Sequence, residues 1–207
     1  MKTKYHREIT EKALASHFDS TALQNIIAAN LAQDAVRYQF GHDHYHYDNN
    51  SFAVGDAYVN ELRGVVFASL DHGDGRQAQD NFGRLTHTVQ DLYAHSNYVS
   101  LWRQLNPGAP AGEIDPLVAG ILSDPHLKSG RLYYPLEILS FFSFSKPFVL
   151  PLLPRDSHAW MNLDDPSRQN FDFAFEAAVK RSILEYSNII DKLTPQQAGI
   201  FTGNNII

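Results

Sequence analysis

The sequence predicts an all-α fold built as a single domain over residues 1–207. Apolar residues recur at helical spacing along most of the chain, and few segments alternate with period two. No internal repeat, heptad run or low-complexity tract points to a solenoid, a coiled coil or a disordered arm. At this length one domain buries a core large enough to need no disulfide.

The first helix is predicted over residues 3–18, with Thr3 as a cap and Ile9, Ala13 and Leu14 on one face. A second starts at Ser20 or Thr21 and carries Leu23, Ile26, Ile27, Leu31 and Val36 to about Tyr38. Residues 41–50 are too polar and turn-rich for a regular core element. A helix over 52–70, a loop at 71–75 and a long helix over 77–105 follow. Two Pro and two Gly make 106–112 a turn, and a short helix fits 116–122. Residues 131–154 are strongly apolar, but four Pro, Glu137 and Lys146 interrupt them. A membrane-spanning helix needs about 20 uninterrupted apolar residues, so a lid-like insertion is expected instead of a span. A last long helix covers 167–193, capped by the turn at 164–167, with Ala174, Ala178, Ile183 and Ile190 in its buried stripe. Residues after Thr194 read as a loose tail.

Composition narrows the chemistry. Apolar residues at 43% and charged residues at 19% are the balance of a globular chain, which rules out a disordered one. Cys is absent, so disulfides, iron–sulfur clusters, thiolate zinc sites and cysteine nucleophiles are excluded, and a metal site must use His, Asp and Glu. The balance of 17 Lys and Arg against 23 Asp and Glu, net −6, argues against broad electrostatic binding to nucleic acid or anionic membranes. Residues 1–10 are polar with no apolar h-region, so no signal peptide is seen and the chain as given reads as cytoplasmic. A removed leader or a leaderless export route would leave the same sequence.

Ten His residues are unevenly spread, three of them in His42-Asp43-His44-Tyr45-His46. The most informative string is His87-Thr88-Val89-Gln90-Asp91-Leu92-Tyr93-Ala94-His95, with His, Asp and His at i, i+4 and i+8. Each step of four rotates only about 40° on a helix, so all three share a face. Each step also rises about 6 Å, which sets His87 and His95 too far apart to share one ion easily. A carboxylate between them can bridge two ions, and ions about 3.5–4 Å apart suit displacement at phosphorus. The plainer reading is a solvated helix face with an Asp–His pair. Further candidate ligands shift the balance toward metal: Asp34, twelve residues before His46; His6 at the start of the first helix; and His158, followed by Asn162, Asp164 and Asp165. His42, His44 and His72 fit loop positions, while Asp48 and Asn49 either orient His46 or cap a turn.

Three stretches, His6-Arg7-Glu8-Ile9-Thr10, His46-Tyr47-Asp48-Asn49 and residues 85–99, carry a family resemblance, with a weaker fourth at 158–166. They resemble the zinc-dependent phospholipase C superfamily, which also holds the fungal and plant single-strand nucleases, and are most similar to its heterokaryon-incompatibility C (HET-C) branch. The resemblance implies an all-α domain of the phospholipase C type with two or three zinc ions. It implies that His6 is the N-terminal metal-binding His and that Asp34 and His46 ligate another ion. It further makes His87 the first helix His, Asp91 the bridging carboxylate, His95 the second-ion His and His158 the late His. Two departures stand out. Phospholipase C proper ligates metal through the amine of a mature N-terminal Trp, where this chain has Met1-Lys2. It also has a Glu four residues after the late His, where Asn162 stands here, leaving Asp164 or Asp165 to substitute.

The implied activity is metal-dependent hydrolysis of phosphodiesters, phospholipid head-group esters or a small phosphodiester, by water that the ions activate. Asp34 or Asp91 would position or deprotonate that water. Residues 131–154 would make peripheral membrane contact. A nuclease on the same scaffold is an alternative that wants aromatic stacking platforms, and the net charge weighs against it. A different class remains open: a non-catalytic protein in which metal staples the helices and the apolar segment engages a membrane or partner in cell death or signalling.

Overall fold

A computed structural model describes residues 1–38, 41–140, 142 and 144–204. The fold is all-α. Its helices are α1 (Thr3–Leu14), α2 (Ser20–Ala32), α3 (Phe52–Asp71), α4 (Gly75–His95), α5 (Tyr98–Leu105) and α6 (Ala119–Leu122), then α7 (Leu136–Ser140), α8 (Lys146–Val149), α9 (His158–Met161), α10 (Phe171–Ile190) and α11 (Pro195–Thr202). Among the described residues no helix is long and apolar enough to cross a membrane.

Helix α4 is the hub, packed against α2, α3 and α10. It is buried on nearly every side from Leu85 to His95, so its polar residues face protein instead of water. Helix α2 comes closest: a Cβ on Gly83 would collide with the Ile26 carbonyl oxygen, so only glycine permits that approach. Phe82, Phe18 and Phe201 meet edge-on or stacked at 5.0–6.0 Å between ring centres, tying α4 to the chain's two ends. Each such buried ring contributes about 1.5–3 kcal/mol.

Several predicted boundaries move, each for a local reason. The first helix stops at Leu14, because Asp19 starts α2 by accepting the Ala22 N–H at 2.7 Å. Helix α2 ends at Ala32 and not near Tyr38; the chain turns there and passes through a short 3-10 turn, Val36–Tyr38. The long helix expected over 77–105 is broken at Ser96–Asn97. There the Asn97 N–H donates to the Lys128 carbonyl (2.9 Å), and the His95 carbonyl accepts from Gly130 (2.8 Å), so pairing with a distant segment replaces helical bonds. Helix α10 begins at Phe171 because residues 165–167 are held in a turn, where Asp165 accepts the Ser167 N–H at 2.9 Å. The tail is not loose: Thr194 and Gln197 form a capping box for α11, and Phe201 is buried. Phe141, within the apolar stretch at 131–154, lies outside the described residues.

Candidate metal centre

Asp91 stands at the middle of the site, with no solvent exposure. Its Oδ2 lies 2.9 Å from His46 Nδ1 and 3.1 Å from His87 Nε2. Its Oδ1 lies 3.1 Å from His6 Nε2, 3.7 Å from His95 Nε2 and 2.5 Å from the Met1 amine. One carboxylate thus reaches both ends of the His87–His95 face, as the spacing of four predicts.

The loop at 46–50 supplies two site residues through unusual backbone. Tyr47, Asn49 and Asn50 have left-handed φ of 54–59°. Asn tolerates this region well, but an aromatic residue seldom occupies it. The Tyr47 hydroxyl donates to Asp56 at 2.7 Å and anchors the ring in the core. His46 and Asp48, on either side, turn into the site. Asp48 does not orient His46, one of its two expected roles: it lies 2.9 Å from His158 Nδ1 and 3.5 Å from His95 Nδ1.

A strap at residues 128–131 joins the remaining pieces. Beside its contacts with His95 and Asn97, the Gly130 carbonyl accepts the Asn49 N–H at 2.9 Å, and the Arg131 carbonyl accepts that of His158 at 2.9 Å. A Cβ on Gly130 would fall 2.5 Å from the His158 Cα, so the strap passes where only glycine fits.

All seven expected ligands come together, in three trios whose ligating atoms lie within 4.8 Å of one another: His6, Asp34 and His87; His46, His87 and Asp91; Asp48, His95 and His158. The resemblance assigns Asp34 and His46 to one ion, whereas here they fall in different trios joined by His87. Of the residues left open after His158, Asp164 turns inward, 3.5 Å from His95 Nε2. Asp165 instead pairs with Lys2 and Ser167 outside the site. His42 and His44 pack on Tyr45, away from the trios. An approximately 130 Å³ cavity opens onto the site, lined by Asp34, His46, Asp48, His95, His158 and Asp164 together with Met1, Lys2 and Leu132.

Sequence reasoning misses Gln90, although it sits inside the motif. Its Oε1 lies 2.7 Å from His6 Nδ1, and its amide nitrogen donates to Thr10 and Ser182 at 3.2 and 3.1 Å. That arrangement fixes a protonated Nδ1 on His6 and leaves Nε2 as a lone pair aimed at the site. The one signal for it is an amide placed directly before the central carboxylate.

The electrostatics favour a cation. Burial would make Asp91 neutral, but His95, the Met1 amine, His6 and His87 outweigh it and hold its carboxyl well below the usual range. Asp34, Asp48 and Asp164 are likewise held down against burial by neighbouring imidazoles and, for Asp34 and Asp164, by the amine. His87, enclosed and beside His6, is pushed down to about 4 and is a neutral imidazole. Burial also opposes a charged His158, yet Asp48 raises it to about 9. Met1 shows what the carboxylates do to a cation: burial disfavours its charge, but Asp91, Asp164 and Asp34 raise its amine to about 11.

The donors fit a divalent ion. Nε2 of His6, Nε2 of His46 and Nδ1 of His87 are buried without a hydrogen-bond partner. A buried polar atom left unpaired costs about 1–3 kcal/mol; of the three, His6 Nε2 stands beside a carboxylate, 3.1 Å from Asp91 Oδ1, where its lone pair could be donated to a metal, while His46 and His87 face Asp91 with Nδ1 and Nε2.

The fold and site define an all-α domain whose central helix presents a buried His/Asp centre suited to divalent cations. The chain belongs to the VWA7 N-terminal domain family, whose profile matches residues 3–108. It is also similar to human von Willebrand factor A domain-containing protein 7, with 37% identity over 86 residues. That stretch is 40% of this chain and 9% of the human protein. No solved structure matches the chain. The profile contains the first two trios whole, while His158, which completes the third, lies beyond it.

Proposed function

We propose that this chain is a metal-dependent phosphodiesterase of the phospholipase C type, with zinc in the His/Asp trios. The observation that carries the reading is Asp91: a buried, ionised carboxylate whose two oxygens face two sets of imidazoles, beside unpartnered ring nitrogens and an open cavity. His6, Asp34 and His87 would hold one ion, His46, His87 and Asp91 a second, and Asp48, His95 and His158 a third. Bound divalent ions supply Lewis acidity, activating water and neutralising charge on phosphoryl oxygens.

The chain's own residues do the rest. The carboxyl of Asp91, held well below the usual carboxylate range, is a weak base, so it would serve to hold ions on its two oxygens in place of accepting a proton. Asp34 is the more accessible carboxylate, with 22% of its side chain exposed, and its Oδ2 accepts from the Thr3 hydroxyl at 3.2 Å. Its lowered pKa makes it a hydrogen-bond acceptor that orients an attacking water. The cavity has room for a phosphoryl group, so the remainder of a diester, including a lipid's chains, lies outside it.

A second reading rests on the same burial. His6, His87 and Asp91 have no exposure at all, as suits a structural staple with a closed coordination sphere. One experiment separates the two: hydrolysis of a small chromogenic phosphodiester by purified protein, before and after chelation and after zinc is restored. Hydrolysis lost and regained with metal supports the enzyme. Zinc-loaded protein that is more stable but cleaves nothing supports the staple.

A further inference from the structure

A second cavity lies apart from the metal centre, between α3, α4, α10 and the segment that carries α6. It has a volume of about 300 Å³ and shares no lining residue with the cavity at the His/Asp trios. Its apolar wall is Leu92 of α4 with Leu117, Leu122 and Leu127. Leu92 is buried, but Leu117 and Leu122 are each 38% exposed, so apolar surface stays open along the cavity. Small-molecule sites begin at about this size, and they join such a wall to a few polar groups that fix the ligand's orientation.

Two guanidiniums, those of Arg63 and Arg181, also line the cavity. Arg63 Nη2 donates to Glu185 Oε2 at 2.7 Å, and Arg181 Nε donates to Glu185 Oε1 at 2.8 Å. Among the described residues neither guanidinium pairs with any other carboxylate. Glu185 is buried with both oxygens occupied, so two cations share one anion and one positive charge is left over. A tie between α3 and α10 does not require both. Arg63 makes that tie alone, whereas Arg181 stands four residues before Glu185 on the same helix. Donors are left over as well: a guanidinium has five N–H groups. Besides Glu185, Arg63 donates to Asn60 at 2.5 Å, and its Nε is buried without a hydrogen-bond partner. Asp56, the other carboxylate of the lining, is exposed and accepts the Tyr47 hydroxyl. Water and salt screen its charge more than that of the buried trio of Arg63, Glu185 and Arg181.

We propose that this cavity binds a small organic monocarboxylate with an apolar body, the carboxylate meeting Arg63 and Arg181 and the body lying on the leucine wall. The ligand's charge offsets the unbalanced guanidinium, and its apolar body covers Leu117 and Leu122. Binding requires no ion in the His/Asp trios, so it stands apart from the hydrolytic reading.

The test is calorimetric titration of the full chain with hydrocinnamate, as purified and after chelation, with hydrocinnamamide as the uncharged counterpart. The expected result is saturable binding of the acid with a Kd below about 1 mM, equal before and after chelation, and at least about tenfold weaker binding of the amide. Leu117→Glu, at a partly exposed position, sets a carboxylate beside the ligand and should weaken binding at least about tenfold with an unchanged melting temperature. Arg63→Lys keeps a cation beside Glu185 but loses the planar fork, and should weaken binding by a smaller factor. No saturable binding overturns the proposal, as does an amide that binds as tightly as the acid. Binding that disappears on chelation puts the carboxylate on metal and also overturns it, as does undiminished binding by Leu117→Glu. If one variant misfolds, the other variant and the comparison of acid with amide decide.

Discussion

The two halves of the centre are built by different means. His6, Asp34, His87 and Asp91 stand on or just beyond regular helices, locked by packing such as the Gly83–Ile26 approach. Asp48, His95 and His158 are brought together by irregular chain: a left-handed turn at Tyr47, a helix end and a loop, joined by the strap through Gly130. The helical half gains its precision from the core that α4 packs against α2, α3 and α10. The loop half depends on a few backbone hydrogen bonds and on the Asp48–His158 pair, so it is the half more open to disturbance. The family profile contains the helical half whole and, of the loop half, Asp48 and His95, and it ends before the strap, the apolar segment and His158.

The largest expected effect falls on Asp91, in the helical half, whose carboxylate also reaches to 3.7 Å from His95 Nε2 of the loop half. Asp91→Asn removes the buried carboxylate that pairs with the Met1 amine and His46, so the metal-free protein should lose about 3–5 kcal/mol, read by urea unfolding. It should also cost more activity than any single His→Ala change among the ligands. Wild-type metal content and turnover in this variant would mean that the carboxylate bridges nothing.

Gly130→Ala probes the loop half alone. Its Cβ would press on the His158 backbone, and the expected cost is about 1–3 kcal/mol. Zinc should be lost from the third trio while the first two keep theirs, giving a partial fall in metal content. A uniform loss would show that the halves are not separable. Gln90→Ala is the matching probe of the helical half. Freeing the His6 ring should weaken zinc affinity at that trio by about 10–100-fold and leave the third trio unchanged, as read by competition titration.

The smallest effect is on pH dependence in the chelated protein. His158 at about 9 lies above the ordinary imidazole value, so its pairing with Asp48 contributes fully below about pH 6.5 and is lost as pH rises through 9. His87, lowered to about 4, works on the acid side: its contribution is present above about pH 6.5 and fades as pH falls through 4. Between about pH 6 and 9.5 wild type should therefore lose more stability than His158→Gln. Parallel curves would show that the ion pair contributes nothing.

The helical half is the more legible in sequence, and the reason is physical. A period of 3.6 fixes which side chains share a face, so the sequence alone aligns His87 and Asp91, and it reaches the loop half only at His95, on the helix end. The loop half has no such period. Asp48 reads as a neighbour of His46 because sequence distance is no guide across a left-handed residue. The break at Ser96 is invisible in the local sequence because it comes from hydrogen bonds to residues 128–130, some thirty positions away. Gln90 escapes notice for a different reason: nothing in a motif distinguishes a solvated amide from one buried against His6. The tail reads as loose from its polar composition, yet a capping box and one buried ring outweigh that composition.

The central claim is that the centre holds a cluster of divalent ions around Asp91. Elemental analysis of the purified chain, followed by zinc titration of the chelated protein, tests it most directly. Two to three ions per chain are expected, up to one for each trio, falling by at least one in Asp91→Asn. A chain that carries no divalent ion and shows no affinity for added zinc would contradict it.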